Sequence, residues 1–583
     1  MMYEKKLKSV HLMLLGLFLI ALNWPNSCSA NEMSIPTNVD PGLINKNFRI
    51  QSEMRLIPKE AEEIDTSNLT KTEDSAVYSN KKFKLNSITY SGSTVFDIEK
   101  LNKLSAKLIG SDISLNDLNN IADTITDMYK KQGYLTSKAI IPPQVIKDGN
   151  VKIQIIEGSI GKIKIDGGKW VNASYIQNTF LTQNNIEENK LFNVNSLSQS
   201  MAEVNTPKYL KGTVTLGKGK EVGQTDIILD LKDRFPLSVG VGWDNTGREL
   251  VGIQRAGLFT SIDNVTGKGD RIWVNNSFAS RTYGLDTGYS MPIGKKGDKL
   301  IFGYSYSDTN LGGEYSPYNI KGKANNFTTS YVHPLIKRRD LEINSRVAFD
   351  MMHAKTTMLD TQTLNNYELR ILRAGISGNK FDEQGRWLGD VMVSAGLPFL
   401  GATQSDNSGE PDAKFVKFNT YLTRVQRLPK ECIGIARFNT QIATGTLFPA
   451  EQMQLGGAYT VRGYNEGSML GDVGYVLSFE VRTPIPFLPE TVKANLWNDK
   501  KINIKLRDSV KFAVFYDQGW TRLVNQGIEP NGNNFFNAVG AGLRVSLGHN
   551  TTANFDLGVP IGPPKYDGQA PVRFHFSIST NLL

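Results

Sequence analysis

Two short motifs carry the chemistry that the chain offers. Val461-Arg462-Gly463-Tyr464 lies in a Gly-rich loop, and Phe515-Tyr516-Asp517-Gln518-Gly519 follows about fifty residues later on an alternating apolar and polar stretch. An arginine on a long loop and an aspartate on one face of a strand can meet if the sheet closes and the loop folds inside it. Such a pair holds a loop within a pore; it does not transform a substrate. No Gly-x-Ser-x-Gly elbow and no Gly-x-x-x-x-Gly-Lys-Ser/Thr phosphate loop occurs. Gly217, Gly219 and Gly223 sit in a turn between strands and open no helix. His11, His333, His353, His549 and His575 lack metal-ligand spacing. Glu187-Glu188 reads as solvated charge, and Cys432 as a small residue on a strand. No catalytic residue, metal or cofactor is expected, and the chain does not read as an enzyme.

The elements that must position these motifs begin with a targeting segment, residues 1–30. Lys5, Lys6 and Lys8 precede an apolar stretch, Leu12 to Leu22, that is too short to span a bilayer as a helix. Cys28-Ser29-Ala30 offers a cleavage site; Cys28 as a lipoprotein cysteine is the other reading. After cleavage Cys432 alone remains, so no disulfide forms within one chain. No later run of about twenty apolar residues occurs, which leaves an exported soluble protein or a membrane-spanning barrel. The net charge of +9 is spread without a concentrated basic run, so nucleic acid is not an expected partner.

Three regions follow. Residues 31–82 hold a possible helix, Pro41 to Ile64, and a Ser/Thr/Asn-rich linker; pattern alone equally allows disorder. Residues 83–158 and 159–233 repeat one order: strand, helix, helix, strand, strand. In the first, Phe83 to Tyr90 is a strand, Ser114 and Asp117 form a capping box, and Leu118, Ile121, Ile125 and Tyr129 fall at helical spacing before Gly133. Thr136 to Ile141 and Val151 to Ile156 follow as strands, joined through an Asp148-Gly149 turn. In the second, Ala173 to Leu181 and Asn195 to Asn205 read as helices, with Leu197, Met201 and Val204 on one face.

Residues 234–583 are an expected barrel. Tyr475, Leu477, Phe479 and Val481 alternate with Val476, Ser478, Glu480 and Arg482, and Val539 to Val545 alternates likewise. One apolar face over many strands is a transmembrane β-barrel pattern. A soluble sandwich alternates too, but would turn charges such as Arg544 outward. At roughly 20–25 residues per strand and connection the tract holds about 14 to 17 strands. On one strand Val510, Phe512, Val514 and Tyr516 should face lipid, and Lys511, Ala513, Phe515 and Asp517 the lumen. A charge facing lipid at midplane costs about 2–4 kcal/mol, which turns Asp517 inward.

The whole arrangement resembles the outer-membrane transporters of two-partner secretion, the TpsB group of haemolysin/haemagglutinin-type activation and secretion proteins in the BamA-like superfamily. Tyr129-x-x-x-Gly133-Tyr134, Ile141-Pro142-x-Gln144, Asp148-Gly149 and Glu157-Gly158 match the group's first POTRA domain. Asn205-x-Pro207 and Gly223-x-x-Asp226 match its second, and the two barrel motifs come in the family's order. The resemblance implies a 16-stranded antiparallel barrel, two periplasmic POTRA modules and an N-terminal plug helix. It implies a sixth extracellular loop folded into the lumen, where Arg462 meets Asp517, with Val461, Gly463, Tyr464, Phe515 and Gly519 around them. It further implies that the modules capture a secreted TpsA-type partner protein, whose folding outside the cell drives export without nucleotide. Leu118, Ile121, Ile125 and Tyr129, or Leu197, Met201 and Val204, are the candidate partner-binding residues beside exposed strand edges. An assembly factor for other barrel proteins is the alternative, though such relatives usually carry three or more modules; a passive porin explains neither the modules nor the Arg462 loop. The family often ends on an aromatic residue, where this chain ends Asn581-Leu582-Leu583, with Phe574 and Phe576 nearby.

Overall fold

In the computed structural model a sheet of sixteen antiparallel strands closes on itself. The structure describes residues 36–53 and 82–582, apart from 206, 208, 295–296, 339, 408, 490–491, 497–499, 505, 526–534, 548–549 and 562–569. The expected targeting segment, the linker and the second half of the expected first helix lie outside the described residues. The first barrel strand, Leu237–Asp244, pairs with its hairpin neighbour, Arg255–Asp263, and with the last strand, Arg573–Asn581. Alternation sorts the two faces. Phe512, Val514 and Tyr516 are exposed on the strand Val510–Arg522, whereas Ala513, Phe515 and Asp517 are buried. Phe479, Val481, Val539 and Leu557 continue the outer apolar surface on neighbouring strands. A continuous outward apolar band of this kind is a lipid-facing surface. Among the described residues no helix is long and apolar enough to cross a membrane.

The helix Pro41–Glu53 lies inside the barrel. Asp40 caps it, accepting from the backbone N–H of Gly42 at 2.9 Å and of Leu43 at 3.1 Å. The same carboxylate oxygen accepts from Tyr367 Oη, 2.7 Å away on the barrel wall. Ser305 Oγ donates to Asn45 Oδ1 at 2.6 Å, and Ser307 Oγ to the Pro41 carbonyl at 2.8 Å. Gly42 is required by close approach: a Cβ there would stand 2.5 Å from Tyr367 Oη. The helix therefore fits the wall by cap, hydrogen bond and shape together.

Two α/β modules precede the barrel. In the first, Asn150–Ile156 is the central strand, parallel to Ser87–Ser91 and antiparallel to Lys138–Ile140. In the second, Gln224–Asp233 is central, parallel to Ser159–Gly167 and antiparallel to Leu210–Lys218. The repeat read from the sequence is thus a repeat of topology. The capping box forms: Ser114 Oγ accepts from Asp117 N, and Asp117 Oδ2 accepts from Ser114 N at 2.8 Å, at the start of Leu115–Lys131. Asp148 and Gly149 both adopt positive φ, as a tight hairpin turn needs. Gln144 closes that hairpin by pairing both amide groups with the Lys152 backbone at 2.7 and 2.8 Å. Glu157 accepts from Thr94 N at 2.7 Å, Val95 N at 3.1 Å and Tyr129 Oη at 2.6 Å. Burial alone would raise the Glu157 carboxyl, but the Thr94 hydroxyl, which donates to Oε2 at 2.5 Å, together with these donors outweighs it and holds it below the usual carboxylate range.

Three expectations change. Phe83 to Tyr90 is two strands, Phe83–Lys84 and Ser87–Ser91, because the first pairs with Asp112–Ile113 and the second with Asn150–Ile156. The segment Ala173 to Leu181 is α-helical only over Ala173–Ile176 and widens into a π-turn over Gln177–Leu181. Cys432 lies in the tight turn ahead of Ile433–Ala443, after Lys430 and Glu431 at positive φ, and not on the strand.

The modules are joined to each other and to the barrel. Val194 N donates to the Gly133 carbonyl at 2.9 Å and Asn193 Nδ2 to the Gln132 carbonyl at 3.0 Å, so one helix ends where the next begins. Lys337, at a strand end on the module side of the barrel, reaches Glu203 of the second module at 2.8 Å. Asn264 Nδ2, on another turn at the same end of the barrel, donates to the Trp170 carbonyl at 2.7 Å. Replacing Ser114 by Ala should destabilise the helix Leu115–Lys131 by about 1 kcal/mol. Its amide hydrogens should then exchange about fivefold faster in the full-length chain, while those of the helix Val194–Val204 keep their rates.

Candidate functional site

The connection between the strands Ile433–Ala443 and Val473–Pro484 folds back into the bore instead of standing above it. Within it Met453–Leu455 pairs with Met469–Gly471 as a small hairpin. Gly456, Gly457, Gly463 and Gly467 all have positive φ, so the tip turns where a side chain would be strained. The tip carries Arg462 to the wall formed by Val473–Pro484, Val510–Arg522, Phe535–Leu547 and Thr551–Pro560. Register places Ser478 opposite Asp517 and Glu480 opposite Phe515, and so presents a row of acceptors to the loop.

Arg462 binds Asp517 as a fork: Nε donates to Oδ2 at 2.7 Å and Nη2 to Oδ1 at 2.9 Å. Its backbone N–H adds a third bond to Oδ2 at 3.1 Å. Nη1 donates to Glu480 Oε2 at 2.6 Å. The guanidinium carbon stands 3.4 Å from the Phe515 ring centroid, a cation–π contact that fixes its plane. Glu480 also accepts from Arg544 at 2.9 Å and from Arg482 at 2.7 Å, and Arg544 reaches Asp556 at 2.7 Å. Three guanidiniums thus meet three carboxylates, and the buried patch is neutral. Among the described residues, the hydrogen bonds that reach the Asp517 carboxylate all come from Arg462.

The other motif residues shape this contact. Val461 and Tyr464 are buried with Leu455, Val476, Phe536 and Ala538. Tyr464 stacks on Phe536, centroids 4.1 Å apart, and donates its hydroxyl to the Asn537 carbonyl at 3.2 Å. A Cβ on Gly519 would stand 2.9 Å from both Leu455 and Val461, and one on Gly558 would stand 2.5 Å from Gly463 N. At these glycines the loop lies directly on the wall. The expected Arg462–Asp517 pair is therefore present, with Val461, Gly463, Tyr464, Phe515 and Gly519 around it.

Sequence reasoning missed Glu480, Arg482, Arg544 and Asp556 as members of the cluster. Glu480 was visible only as one polar position in an alternating strand. It missed Glu451 as well, at the root of the loop, which Arg373 Nη2 reaches at 2.8 Å and Lys417 contacts directly. The candidate partner-binding side chains need correction. Leu118, Ile121, Ile125 and Tyr129 are buried in the core of the first module, and Leu197, Met201 and Val204 in that of the second. Their helical spacing is the spacing of a face packed on a sheet, so these side chains present no surface to a partner.

Comparison with known proteins points one way. The family of haemolysin secretion/activation proteins ShlB/FhaC/HecB matches residues 223–545, and the ShlB-type POTRA domain matches residues 83–158. The heme/hemopexin transporter protein HuxB of Haemophilus influenzae is 24% identical over 479 residues, 79% of this chain and 80% of its own length. The outer membrane transporter CdiB of Dickeya dadantii strain 3937 is 25% identical over 418 residues, 67% and 71% of the two chains. The structure of CdiB from Escherichia coli superposes with a TM-score of 0.72 at 20% identity, over 95% of this chain and 100% of that one.

Gly558→Ala tests the docking of the loop. Its new methyl meets loop backbone and forces a shift, whereas at Gly389 a Cβ finds only ordinary contacts beyond 3.5 Å. On intact cells the loop 444–472 should become several-fold more sensitive to added protease in Gly558→Ala and stay unchanged in Gly389→Ala.

Proposed function

The chain belongs to the haemolysin secretion/activation protein family of ShlB, FhaC and HecB, an outer-membrane transporter of two-partner secretion with its POTRA modules in the periplasm, and we propose that Arg462 is the latch of its resting pore. The observation that carries this reading is the Arg462 fork on Asp517, made by an extracellular loop inside the bore. In this reading the loop and the helix Pro41–Glu53 together occupy the lumen at rest. Export of an extended partner protein requires the helix to leave and the loop to shift against the wall. The latch is strong because it is buried and bidentate. It is reversible because Glu480 keeps Arg544 and Arg482 as counter-charges when Arg462 moves away.

Capture of the partner belongs to the modules' strand edges rather than to their helix side chains. Leu210–Lys218 is an edge strand beside the helix Val194–Val204, and Lys138–Ile140 is one beside Leu115–Lys131. An unfolded segment can add to such an edge through main-chain hydrogen bonds, which suits a cargo that arrives extended. No nucleotide site was read from the sequence, so folding of the partner outside the cell is the proposed source of direction.

Arg462→Ala strips Asp517 of its side-chain donors. Breaking a buried pair costs up to about 3–5 kcal/mol, less where lumen water screens the remaining charge. Export of the partner should fall about tenfold or more, while the variant still reaches the outer membrane with the heat-dependent gel shift of a folded barrel. Arg462→Lys, which keeps the charge but cannot form the fork, should fall between the two. Export by Arg462→Ala at the unsubstituted rate would refute the latch.

A further inference from the structure

A cavity of about 460 Å³ remains in the bore between the helix Pro41–Glu53, the first extracellular loop and the folded-in hairpin. Its lining is weighted toward cations: Lys46, Arg248, Arg255, Arg346, Arg373 and Lys417. Three carboxylates, Asp350, Asp390 and Glu466, also line it. Asp350 accepts from Arg373 at 2.6 Å and Glu466 from the Ala458 backbone at 2.7 Å. Arg373 and Lys417 are likewise held by Glu451. Arg248 differs from them. It is 7% exposed, and its Nη2 donates to the neutral amide oxygen of Gln454 at 2.8 Å. Its Nη1 has no hydrogen-bond acceptor among the described residues. A buried guanidinium with an unspent donor, on a side chain that lines a roomy cavity holding more cations than carboxylates, is a site for an acceptor that carries negative charge.

We propose that this cavity is an oxyanion site centred on Arg248. Its ligand is a carboxylate or another small oxyanion such as inorganic phosphate. The site adjoins the resting plug: Gln454 Oε1 accepts from Arg248 and, at 3.1 Å, from Asn47 Nδ2 of the helix. Leu43, Ile44, Lys46 and Asn47 of that helix line the same cavity, so a ligand seated on Arg248 lies against the plug. Where the ligand is a carboxylate of the exported chain, the site gives acidic segments a foothold in the bore. That source rests on the export reading above; the site itself does not.

Equilibrium dialysis of the purified full-length chain in detergent tests the site without any export assay. Radiolabelled inorganic phosphate, acetyl-Glu-Glu-amide and acetyl-Gln-Gln-amide are the probes. Saturable binding of phosphate or of the acidic dipeptide is expected, with the amide dipeptide at least about tenfold weaker. Arg248→Gln should weaken the bound probe about tenfold, and Arg248→Lys, which keeps the charge, should weaken it less. The heat-dependent gel shift confirms that each variant is folded. Phosphate bound without the dipeptide assigns the site to a free oxyanion; the dipeptide bound, with phosphate competing, assigns it to a polypeptide carboxylate. Neither probe binding, or equal binding by Arg248→Gln, overturns the proposal.

Discussion

A strand in hydrocarbon must spend every backbone N–H and C=O on another strand, because no water is present to take them. That constraint forces the sheet to close, and closure creates the space in which everything else happens. The seam is where the demand is met last: Arg573–Asn581 pairs with Leu237–Asp244 from Ser577↔Asp244 to Asn581↔Gly240. Asn245 supports it from the side, donating to the Phe574 carbonyl at 2.8 Å and accepting from Phe576 N at 2.8 Å. Trp243 and Phe576 pack edge to face across the same seam. Once closed, the sheet has a hydrocarbon solvent outside and a separate polar interior.

The interior is filled by parts of the chain that have to fit one another. A loop cannot rest in a bore lined by ionised groups unless its own charges match them. The neutral patch of Arg462, Arg544, Arg482, Asp517, Glu480 and Asp556 meets that condition at the tip. Glu451 with Arg373 and Lys417 meets it at the root. Glycine meets the geometric condition: Gly540 leaves room for the Phe515 ring, and Gly463 on Gly558 brings two backbones into contact.

The modules obey ordinary globular physics. Each packs its helices on a three-stranded sheet, and each spends its motif residues on local closure. Asn205, for example, accepts from Gly212 N at 2.7 Å and donates to its carbonyl, pinning the helix end to the strand that follows. Asp226 likewise accepts from Lys162 N at 2.7 Å. These residues hold the strands of each module in place.

Period-two alternation was legible in the amino-acid order, and it fixed which residues face lipid, including Phe512, Val514 and Tyr516. Helical spacing after Ser114, the Asp148-Gly149 turn and the doubled strand–helix order were legible for the same reason: each is a local preference. Alternation also turned Asp517 inward, since lipid would not accept it. It could not say which lumen residues meet. Glu480, Arg482 and Asp556 look like any solvated charge until register sets Ser478 beside Asp517 and a loop returns through the bore. Helical spacing could not separate a face that binds a partner from one that binds its own sheet, and the packing of Tyr129 and Leu197 decided that. Local order depends on neighbours along the chain, whereas a charge cluster drawn from a loop and four strands exists only once the sheet has closed around it.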